Sequence, residues 1–384
     1  MGTASYNSVV VDLDALYDNF RAVCSRLEPG VKVMAVVKAD AYGHGLEEAA
    51  GAFARAGACC FGVGTAEDGA RLRRAGITGD IVPLLGFEPG DAAEVVEHAL
   101  SPVVFDPAGL AELSRQAVRR GRVAAVHLKL DVGMGRFGVD PEAFAQVLAV
   151  IDELPGLHLA GTMAHFPLAD MEGEESVCRQ QWQLLSSVVA KLQPVANGRP
   201  LLHMANSAAL LRFPWAHGDL VRPGIALYGY SPLPAFLCPS PELRPAMSLR
   251  SRVLQVKELP AGHGVSYGQR FVTPGPTRLA VLPVGYADGY PRGVSGRAEV
   301  LIGGRRVPLR GTICMNACMA DITDLPAVTP GDEVVFLGRQ GEQFIGADEI
   351  AAWHGTISYE ILCRIGTMNH RIYRSHYTKE SEQK

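Results

Sequence analysis

The sequence predicts an α/β fold, an eight-stranded (β/α)8 barrel of the TIM type followed by a mostly β C-terminal domain. From about residue 30 to 230, short apolar runs alternate with stretches of helical spacing, which is typical of strand-helix units around a parallel sheet. Eight such runs can be counted, and eight parallel strands close into a barrel. After the proline-rich segment 231–245, short alternating strands separated by glycine turns replace this pattern.

The eight predicted strands follow one another along the first part of the chain. They are residues 33–37, 59–63, 81–85, 102–105, 124–130, 159–164, 201–204 and 219–221. Helix starts are indicated at Asp106 and Asp140, each of which precedes a proline, and at Thr65, which has Asp68 at capping-box spacing. An open doubly wound sheet is the alternative topology, but no GxGxxG motif follows the first strand.

Composition and charge narrow the class of protein. A chain of 384 residues exceeds what one core usually holds, which predicts a barrel over residues 8–240 and a β domain over residues 241–384. The formal net charge is -4 and no basic block occurs, so we expect no nucleic-acid partner. Without a basic leader or an apolar run of membrane-spanning length, a cytoplasmic protein with no membrane partner is expected. The cysteines are scattered without a CxxC pair, so we expect reduced thiols and no metal site.

Polar side chains follow the predicted strands, at the ends where such barrels carry their chemistry. The set comprises Lys38, Lys129, Asp131, Arg136, His165, Asn206, Ser207 and Arg222. Cations dominate it, which suits an anionic ligand, and the loop at Gly224 offers backbone N–H groups for a phosphate. The amine of a lysine such as Lys38 forms an imine with a carbonyl once desolvation and neighbouring cations lower its pKa.

Each of these residues also has a plainer interpretation when it is taken alone. A lysine at a strand end, such as Lys38, more often extends its ammonium group into solvent. A histidine such as His165 is more often a hydrogen-bonded core residue, and Arg136 and Arg222 would serve as surface ion-pair partners. We assign His203 a structural role.

The residues match one known family over nearly the whole chain. The segment VMAVVKADAYGHG resembles the cofactor-lysine segment of alanine racemases, which bind pyridoxal 5′-phosphate. The resemblance continues in family order through HLKLDVGMGRFG, MAHFPLAD, HMANSAAL, VRPGIALYG, VSYGQRF, LPVGYADGYPR, GTICMNACM and TISYEILCRIG. It implies a barrel joined to a β domain that also includes the N-terminal strand within residues 1–12. It further implies a head-to-tail homodimer whose active sites use both chains.

The resemblance implies a role for each matching residue. Lys38 would form the internal imine and act as one acid/base group, and Tyr267 of the partner subunit would act as the second. His165 would hydrogen-bond that tyrosine, and Arg222 would face the pyridine nitrogen. The implied cofactor-binding set is Tyr42, Asn206, Ser207, Gly224, Ile225 and Tyr359. The implied substrate-carboxylate contacts are Arg136 and Met315, and the implied substrate gate is Tyr286, Tyr359, Asp170 and Arg292.

The function that follows from the resemblance is interconversion of L-alanine and D-alanine, which supplies D-alanine for peptidoglycan synthesis. Lys38 would handle the proton on the D side of the α-carbon and Tyr267 the proton on the L side. A guanidinium group gives up a proton with difficulty, so the nitrogen facing Arg222 would stay unprotonated and side reactions would be limited. In many relatives the lysine matching Lys129 carries a carbamate that holds the arginine matching Arg136, which makes Lys129 a candidate for the same modification.

Two positions depart from the family pattern and keep alternatives open. Asn316 stands where the family usually has aspartate, and Thr312 stands where a basic residue is common. Both lie near the substrate corridor in relatives, so a broader alanine/serine racemase is one alternative. A decarboxylase of basic amino acids, which has the same barrel class, is another, although we find neither its catalytic cysteine nor its glycine-rich phosphate loop. A cofactor-binding protein without activity would not need the β domain that carries Tyr267.

Overall fold

The computed structural model describes residues 6–190, 199–234, 237 and 242–375. By internal contacts the chain divides into two compact units. The first, here called the α/β unit, comprises the described residues of Leu16–Ala41 and Ala49–Arg244. The second, here called the β unit, comprises those of Met1–Ala15, Tyr42–Glu48 and Pro245–Lys384.

The α/β unit is built on parallel strands. They are β2 (Lys32–Val36), β3 (Cys60–Val63), β4 (Asp80–Pro83), β5 (Val103–Val104), β6 (Ala124–Lys129), β7 (Leu157–Met163), β8 (Leu201–His203) and β9 (Leu220–Val221). Among the described residues they form two four-stranded sheets, ordered β4-β3-β2-β9 and β5-β6-β7-β8. Each strand overlaps one of the predicted apolar runs, so the α/β part of the predicted fold class is confirmed.

The interior between these strands contains an apolar cluster. Its buried side chains come from strands of both sheets and are Met34, Cys60, Val82, Val103, Met163 and Leu220. Backbone hydrogen bonds also run between the flanking segments of the two sheets, from Ser101 N to the Ile81 carbonyl and from Asp219 N to the Leu202 carbonyl, each 2.9 Å long. The inward faces of both sheets therefore share one core.

Most of the described helices connect consecutive parallel strands of the α/β unit, and the last two described helices lie in the β unit. In chain order the helices of the described residues are α1 (Leu13–Cys24), α2 (Leu46–Arg55), α3 (Ala66–Arg74), α4 (Ala92–Glu97), α5 (Leu110–Arg119), α6 (Phe144–Glu153), α7 (Glu175–Ala190), α8 (Ser207–Arg212), α9 (Ala347–His354) and α10 (Ser358–Met368). The predicted capping box at the start of α3 is confirmed, because Asp68 N donates to the Thr65 hydroxyl at 3.2 Å and Thr65 N donates to Asp68 Oδ2 at 3.4 Å.

The predicted helix starts at Asp106 and Asp140 are wrong. Helices α5 and α6 begin four residues later than these aspartates, at Leu110 and Phe144. The Asp106 carboxylate accepts a hydrogen bond from Ala108 N at 2.6 Å, which closes a local turn. An aspartate that folds back onto the second residue after it satisfies its side chain in a turn, so it does not serve as the helix N-cap.

Replacement of Thr65 by alanine tests the capping box of α3. We expect the free energy of unfolding to fall by about 1 kcal/mol, because Asp68 N loses its acceptor and the first turn of the helix frays. Urea denaturation measures the change. Thr78→Ala is the matched control, since Thr78 is also exposed and its hydroxyl forms no hydrogen bond within the described chain. Equal losses in the two variants would contradict the assignment.

The chain leaves β2 through Lys38 into a left-handed turn. The φ and ψ angles are 54° and 51° at Ala39, 52° and 47° at Asp40, and 54° and 51° at Ala41, and φ is again 54° at Tyr42. For L-residues this conformation costs about 1–2 kcal/mol per residue relative to the right-handed one. Backbone strain of this kind persists only where the surroundings enforce it, and it concentrates at functional sites.

The β unit consists mainly of antiparallel strands. Its strands are β1 (Ser8–Asp12), β10 (Met247–Arg252), β11 (Gln255–Leu259), β12 (Gly264–Val265), β13 (Phe271–Val272), β14 (Thr277–Leu282), β15 (Glu299–Ile302), β16 (Arg305–Arg310), β17 (Cys318–Asp321), β18 (Glu333–Gln340), β19 (Gln343–Ile345) and β20 (Arg371–Arg374). Most of them form one sheet, ordered β11-β14-β17-β16-β15-β18-β10-β1-β20, with β19 paired to β18. Strand β1 is antiparallel to β10 and parallel to β20. The predicted mostly β part of the fold class is confirmed.

Three further features concern the described residues only. None of their helices has both the length and the apolar character that crossing a bilayer requires. No group of three or more His, Cys, Asp or Glu side chains in this part of the chain has the arrangement of a metal site. Within the described residues, no disulfide bond joins Cys24, Cys59, Cys60, Cys178, Cys314, Cys318 or Cys363.

Candidate active site

A cluster of cationic side chains lies at the carboxyl ends of the parallel strands in the α/β unit. Lys38 follows β2, Lys129 ends β6, and Arg222 follows β9. The charges of Arg136, Arg222 and Lys38 all act on Lys129 and lower its pKa, and the same charges act on His165. Because these strands are parallel and share one core, their carboxyl ends bring the side chains to one place.

Lys129 is buried in this cluster, with 2% of its surface exposed. Its Nζ lies 3.5 Å from the centroid of the Phe137 ring. Burial, followed by the charges of Arg136 and Arg222, lowers the pKa of Lys129 to about 7. A large fraction of this amine is therefore neutral, and nucleophilic, at neutral pH.

Asp131 organises the loop that leads from β6 to Arg136. Its carboxylate accepts hydrogen bonds from the backbone N–H groups of Gly133, Met134 and Gly135 at 2.9, 2.8 and 2.9 Å. Burial raises the pKa of Asp131, but these backbone hydrogen bonds outweigh it and the pKa is lowered. The ionised carboxylate therefore holds the loop in one conformation and places Arg136 beside the cluster.

Arg222 is the most completely engaged cation of the cluster, with 5% of its surface exposed. Its guanidinium donates to the carbonyls of Ala164 and Met204, at 2.6 and 3.2 Å, and to Nδ1 of His203 at 3.0 Å. It also lies 3.4 Å from Nδ1 of His165. Burial lowers the pKa of Arg222 to about 10, which still leaves it charged at neutral pH.

His165 is neutral in this environment. Burial, followed by the charge of Arg222 and then those of Arg136, Lys129 and Lys38, lowers its pKa well below the ordinary range. Since a guanidinium group only donates, Nδ1 of His165 is the acceptor that faces Arg222. The ring hydrogen is therefore on Nε2, and His165 can donate a hydrogen bond from that atom.

The loop after β9 and the start of α8 meet at Ser207, which is 3% exposed. The Ser207 hydroxyl oxygen accepts hydrogen bonds from Gly224 N at 2.9 Å and Ala226 N at 3.4 Å. Within the described residues neither the hydroxyl hydrogen of Ser207 nor the backbone N–H of Ile225 has an acceptor. Two buried donors without acceptors in one loop fit a bound anion, and a phosphate group has the necessary oxygens.

Asn206, the residue before Ser207, has a structural task in the same loop. Its Oδ1 accepts a hydrogen bond from Ala209 N at 3.0 Å, which makes it the N-cap of α8. Its Nδ2 donates to the Phe166 carbonyl at 3.3 Å. Asn206 therefore fixes the helix start at which Ser207 is presented.

Tyr42 and Tyr359 pair within the β unit, with ring centroids 5.9 Å apart. Tyr42 is buried, and burial, followed by the neighbouring Tyr359, raises its pKa. Its hydroxyl therefore keeps its hydrogen at neutral pH and serves as a hydrogen-bond donor rather than as a base.

Tyr267 follows β12 in the β unit, and 72% of its surface is exposed. Its carbonyl accepts a hydrogen bond from the Thr312 hydroxyl at 2.9 Å. The Ser266 hydroxyl donates to the Thr312 carbonyl at 2.5 Å and lies 3.3 Å from Sγ of Cys314. These contacts tie the Tyr267 loop to the segment that leads into Met315. Thr312 therefore supports this loop.

The remaining predicted gate residues lie in separate loops. Tyr286 and Arg292 each begin a short 3₁₀ helix of the β unit, and Tyr286 N donates to the Cys314 carbonyl at 3.1 Å. Asp170 lies in an exposed turn of the α/β unit. In the β unit, Asn316 Nδ2 donates to Asp288 Oδ2 at 3.4 Å. An aspartate at position 316 would place a second carboxylate against Asp288.

The structure thus gathers the predicted residues within each unit, and it adds one that sequence reasoning missed. The α/β unit collects Lys38, Lys129, Arg136, His165, Arg222, Asn206, Ser207, Gly224 and Ile225. The β unit pairs Tyr42 with Tyr359 and joins the loops of Tyr267, Met315 and Tyr286. Sequence reasoning misses His127, which bonds at 2.9 Å to His203, a residue predicted to be structural, with Arg222 on the far side of His203. One signal was available, since His127 and Lys129 are two residues apart and so face the same side of their strand.

A lysine at the exit of a buried parallel strand, beside other cations, is an arrangement expected of an α/β enzyme that uses a lysine amine. Family models described as the alanine racemase N-terminal domain and the alanine racemase C-terminal domain match residues 11–232 and 246–373. The chain belongs to the alanine racemase family.

Individual relatives are similar over nearly their full length. The alanine racemase of Syntrophobacter fumaroxidans is 42% identical over 363 residues, which cover 94% of this chain and 96% of the relative. The crystal structure of alanine racemase from D-cycloserine-producing Streptomyces lavendulae is 38% identical with a TM-score of 0.89, covering 97% of this chain and 98% of that one. A third is the structure of alanine racemase from Bartonella henselae with covalently bound pyridoxal phosphate. It is 26% identical with a TM-score of 0.85 and covers 97% of this chain and all of that one.

Proposed function

We propose that the protein is a pyridoxal-phosphate-dependent alanine racemase that interconverts L-alanine and D-alanine by a two-base mechanism. The observation that carries the proposal is the buried cationic cluster around Lys38 at the carboxyl ends of parallel strands. Family membership and the relative with covalently bound pyridoxal phosphate support the same conclusion.

The residues of the α/β unit fit this cofactor. The Ser207 hydroxyl and the Ile225 N–H are buried donors that would hold its phosphate. The family resemblance assigns Tyr42 and Tyr359 to the same binding set. Lys38 would bind the cofactor covalently through its amine. Arg222, held by acceptors on several sides, would direct a donor at the pyridine nitrogen. When bound, pyridoxal phosphate supplies the electron sink that makes the α-hydrogen of the amino acid acidic.

The side chains proposed for catalysis have distinct tasks. Arg136 and Met315 hold the substrate carboxylate. In the direction from L-alanine, Tyr267 of the partner subunit takes the α-proton and Lys38 returns a proton to the opposite face, and in the reverse direction the two exchange tasks. His165 donates from Nε2 to the tyrosine oxygen and so favours the phenolate that accepts the proton.

We also propose that Lys129 is carbamylated. Its amine is neutral in a large fraction of molecules, because the pKa is about 7, and it can attack carbon dioxide. The nitrogen–carbon bond forms, one carbon–oxygen π bond of carbon dioxide opens, and one N–H proton is released to solvent, so the neutral amine becomes a carbamate anion. Repulsion between Lys129 and Arg136 then becomes an ion pair that holds Arg136 for the substrate.

Further proposals concern architecture and setting. We propose that β2 to β9 close into a (β/α)8 barrel, which the shared interior cluster and the hydrogen bonds between the sheet flanks support.

We propose a homodimer, because Tyr267 is exposed on its own chain and would serve the partner's site. Tyr286, Tyr359, Asp170 and Arg292 would form the substrate gate. A cytoplasmic location and a supply of D-alanine for peptidoglycan synthesis stay predictions.

Chiral chromatography tests the proposed activity. Purified protein with added pyridoxal phosphate is incubated with L-alanine and, separately, with L-serine and L-lysine. We expect D-alanine to appear well before D-serine, because the proposed gate tyrosines Tyr286 and Tyr359 would favour a small substrate. Absence of both D-isomers, or release of carbon dioxide from L-lysine, would contradict the proposal. Similar rates for alanine and serine would instead show that Asn316 and Thr312 accompany a broader specificity.

A further inference from the structure

A chain of hydrogen bonds leads from Arg222 into the interior of the α/β unit. Arg222 donates to Nδ1 of His203 at 3.0 Å, and Nε2 of His203 lies 2.9 Å from Nδ1 of His127. Both histidines are buried, and their rings meet edge to face with centroids 5.0 Å apart. The proposed mechanism makes no use of His127.

The chemistry of the donors fixes the hydrogen positions along this chain. A guanidinium group can only donate, so Nδ1 of His203 accepts and its ring hydrogen is on Nε2. That hydrogen points at Nδ1 of His127, which must accept in turn, so the hydrogen of His127 is also on Nε2. All hydrogen bonds in this series therefore run in one direction, with Arg222 donating to His203 and His203 donating to His127.

His127, the last residue of this hydrogen-bonded series, borders a cavity. His127 lines a cavity of about 350 Å³ at the amino ends of the parallel strands, together with Lys32, Asp80 and Ser101. Within the described chain, Nε2 of His127 has no protein acceptor, so its N–H is available to water in this cavity. His127 therefore needs no other protein group to hold the tautomer that His203 requires.

Gly161 in β7 makes room for the two rings. A Cβ atom at position 161 would collide with Nδ1 of His127 and would lie 3.0 Å from Nε2 of His203. Glycine in the interior of a strand is otherwise unfavourable, and it marks a place where another group approaches closely. Glycine at position 161 therefore lowers the stability of β7 but leaves the space that the His127–His203 hydrogen bond needs.

Both rings stay neutral at physiological pH. Burial, followed by the charges of Arg222 and His158, lowers the pKa of His127 to about 4, and burial, followed by Arg222, lowers that of His203 well below the ordinary range. A neutral pair can keep the donor-to-acceptor order described above. A protonated His203 would have no acceptor at Nδ1 for Arg222, and its positive charge would repel the guanidinium group.

We infer that His127 is a positioning residue: by accepting from His203 it holds the tautomer that presents an acceptor to Arg222, and so it fixes the guanidinium group in the orientation used in the reaction. The functional part of this inference rests on the proposed role of Arg222, whereas the hydrogen positions do not.

The hydrogen positions can be tested by NMR of protein labelled with ¹⁵N at histidine, without reference to activity. We expect His127 and His203 both to show an unprotonated Nδ1 and a protonated Nε2. In His127→Leu the His203 signals should shift, because Nε2 loses its acceptor. In His127→Asn they should stay near their original positions, because Oδ1 of asparagine can accept at the place of Nδ1. A protonated Nδ1 on either wild-type ring would overturn the inference.

Kinetics test the functional part. We expect kcat for alanine to fall about tenfold in His127→Leu with KM nearly unchanged, since one hydrogen bond to a buried charged network is lost, and to recover largely in His127→Asn. His158→Asn is the matched control, because His158 lies near His127 but forms no hydrogen bond within the described residues. Equal losses of kcat in the leucine and asparagine variants would show a merely structural role. If NMR finds the expected tautomers but the protein has no racemase activity, the inferred hydrogen positions stand. Only the proposed function is then refuted.

Discussion

Tyr267→Phe is expected to lower the conversion of L-alanine to D-alanine by about a thousandfold, since positioned acid/base groups contribute factors of this order. The phenyl ring keeps the shape of the side chain but has no oxygen to take the α-proton on the L side. Lys38 is untouched, so D-alanine incubated in D₂O should still exchange its α-hydrogen for deuterium. Chiral chromatography measures the loss of racemisation, and mass spectrometry measures the retained exchange.

The matched control for this prediction is Tyr6→Phe. Tyr6 is another exposed tyrosine of the β unit, and its loss should leave both rates unchanged. If Tyr267→Phe converts L-alanine at a rate near that of the wild type, the two-base scheme is wrong. Loss of exchange together with racemisation would instead mean that Tyr267 is needed for binding, not only for proton transfer on one face.

Lys38→Ala should remove covalent attachment of pyridoxal phosphate and lower racemisation by a factor of about 10³ or more, because one residue supplies both the covalent link and one acid/base group. Borohydride treatment followed by mass spectrometry of peptides should find the reduced cofactor on the segment containing Lys38 in the wild type only. Exchange of the α-hydrogen of D-alanine should be lost as well, which distinguishes this variant from Tyr267→Phe.

Lys32→Ala provides the control at the opposite end of the same strand. Lys32 begins β2 and is exposed, whereas Lys38 follows its carboxyl end. The Lys32 variant should keep cofactor attachment and full activity. Attachment of the cofactor to another lysine in Lys38→Ala, with activity retained, would contradict the assignment of Lys38.

Much of the fold and part of the candidate site could be predicted from the sequence. The strands of the α/β unit are buried apolar runs, so their positions follow from hydrophobic patterning, and the residues after them fall at the carboxyl ends. Lys38 and Arg222 could be singled out in this way. Their roles in catalysis came from the family resemblance and stay predictions, because patterning does not show where a side chain points.

Contacts between separate strands could not be predicted. The sequence predicts only a structural role for His203, and a neutral histidine that donates to one partner and accepts from another has no distinctive sequence pattern. Its bonds to Arg222 and His127 depend on the order in which β6, β8 and β9 lie about the core. The late start of α5 has a local cause, since at Asp106 a turn and a helix cap compete for one carboxylate.

The left-handed turn after Lys38 has no sequence signal either, because its residues are ones that favour right-handed backbone. Its torsion angles at Ala39 and Ala41 are close to the mirror image of those of an ordinary α-helix. A residue of D configuration would adopt them without steric cost. Beside the proposed catalytic lysine, the chain therefore holds L-alanines in the backbone geometry natural to D-alanine. A semisynthetic protein with D-alanine at positions 39 and 41 would carry less strain than the natural one.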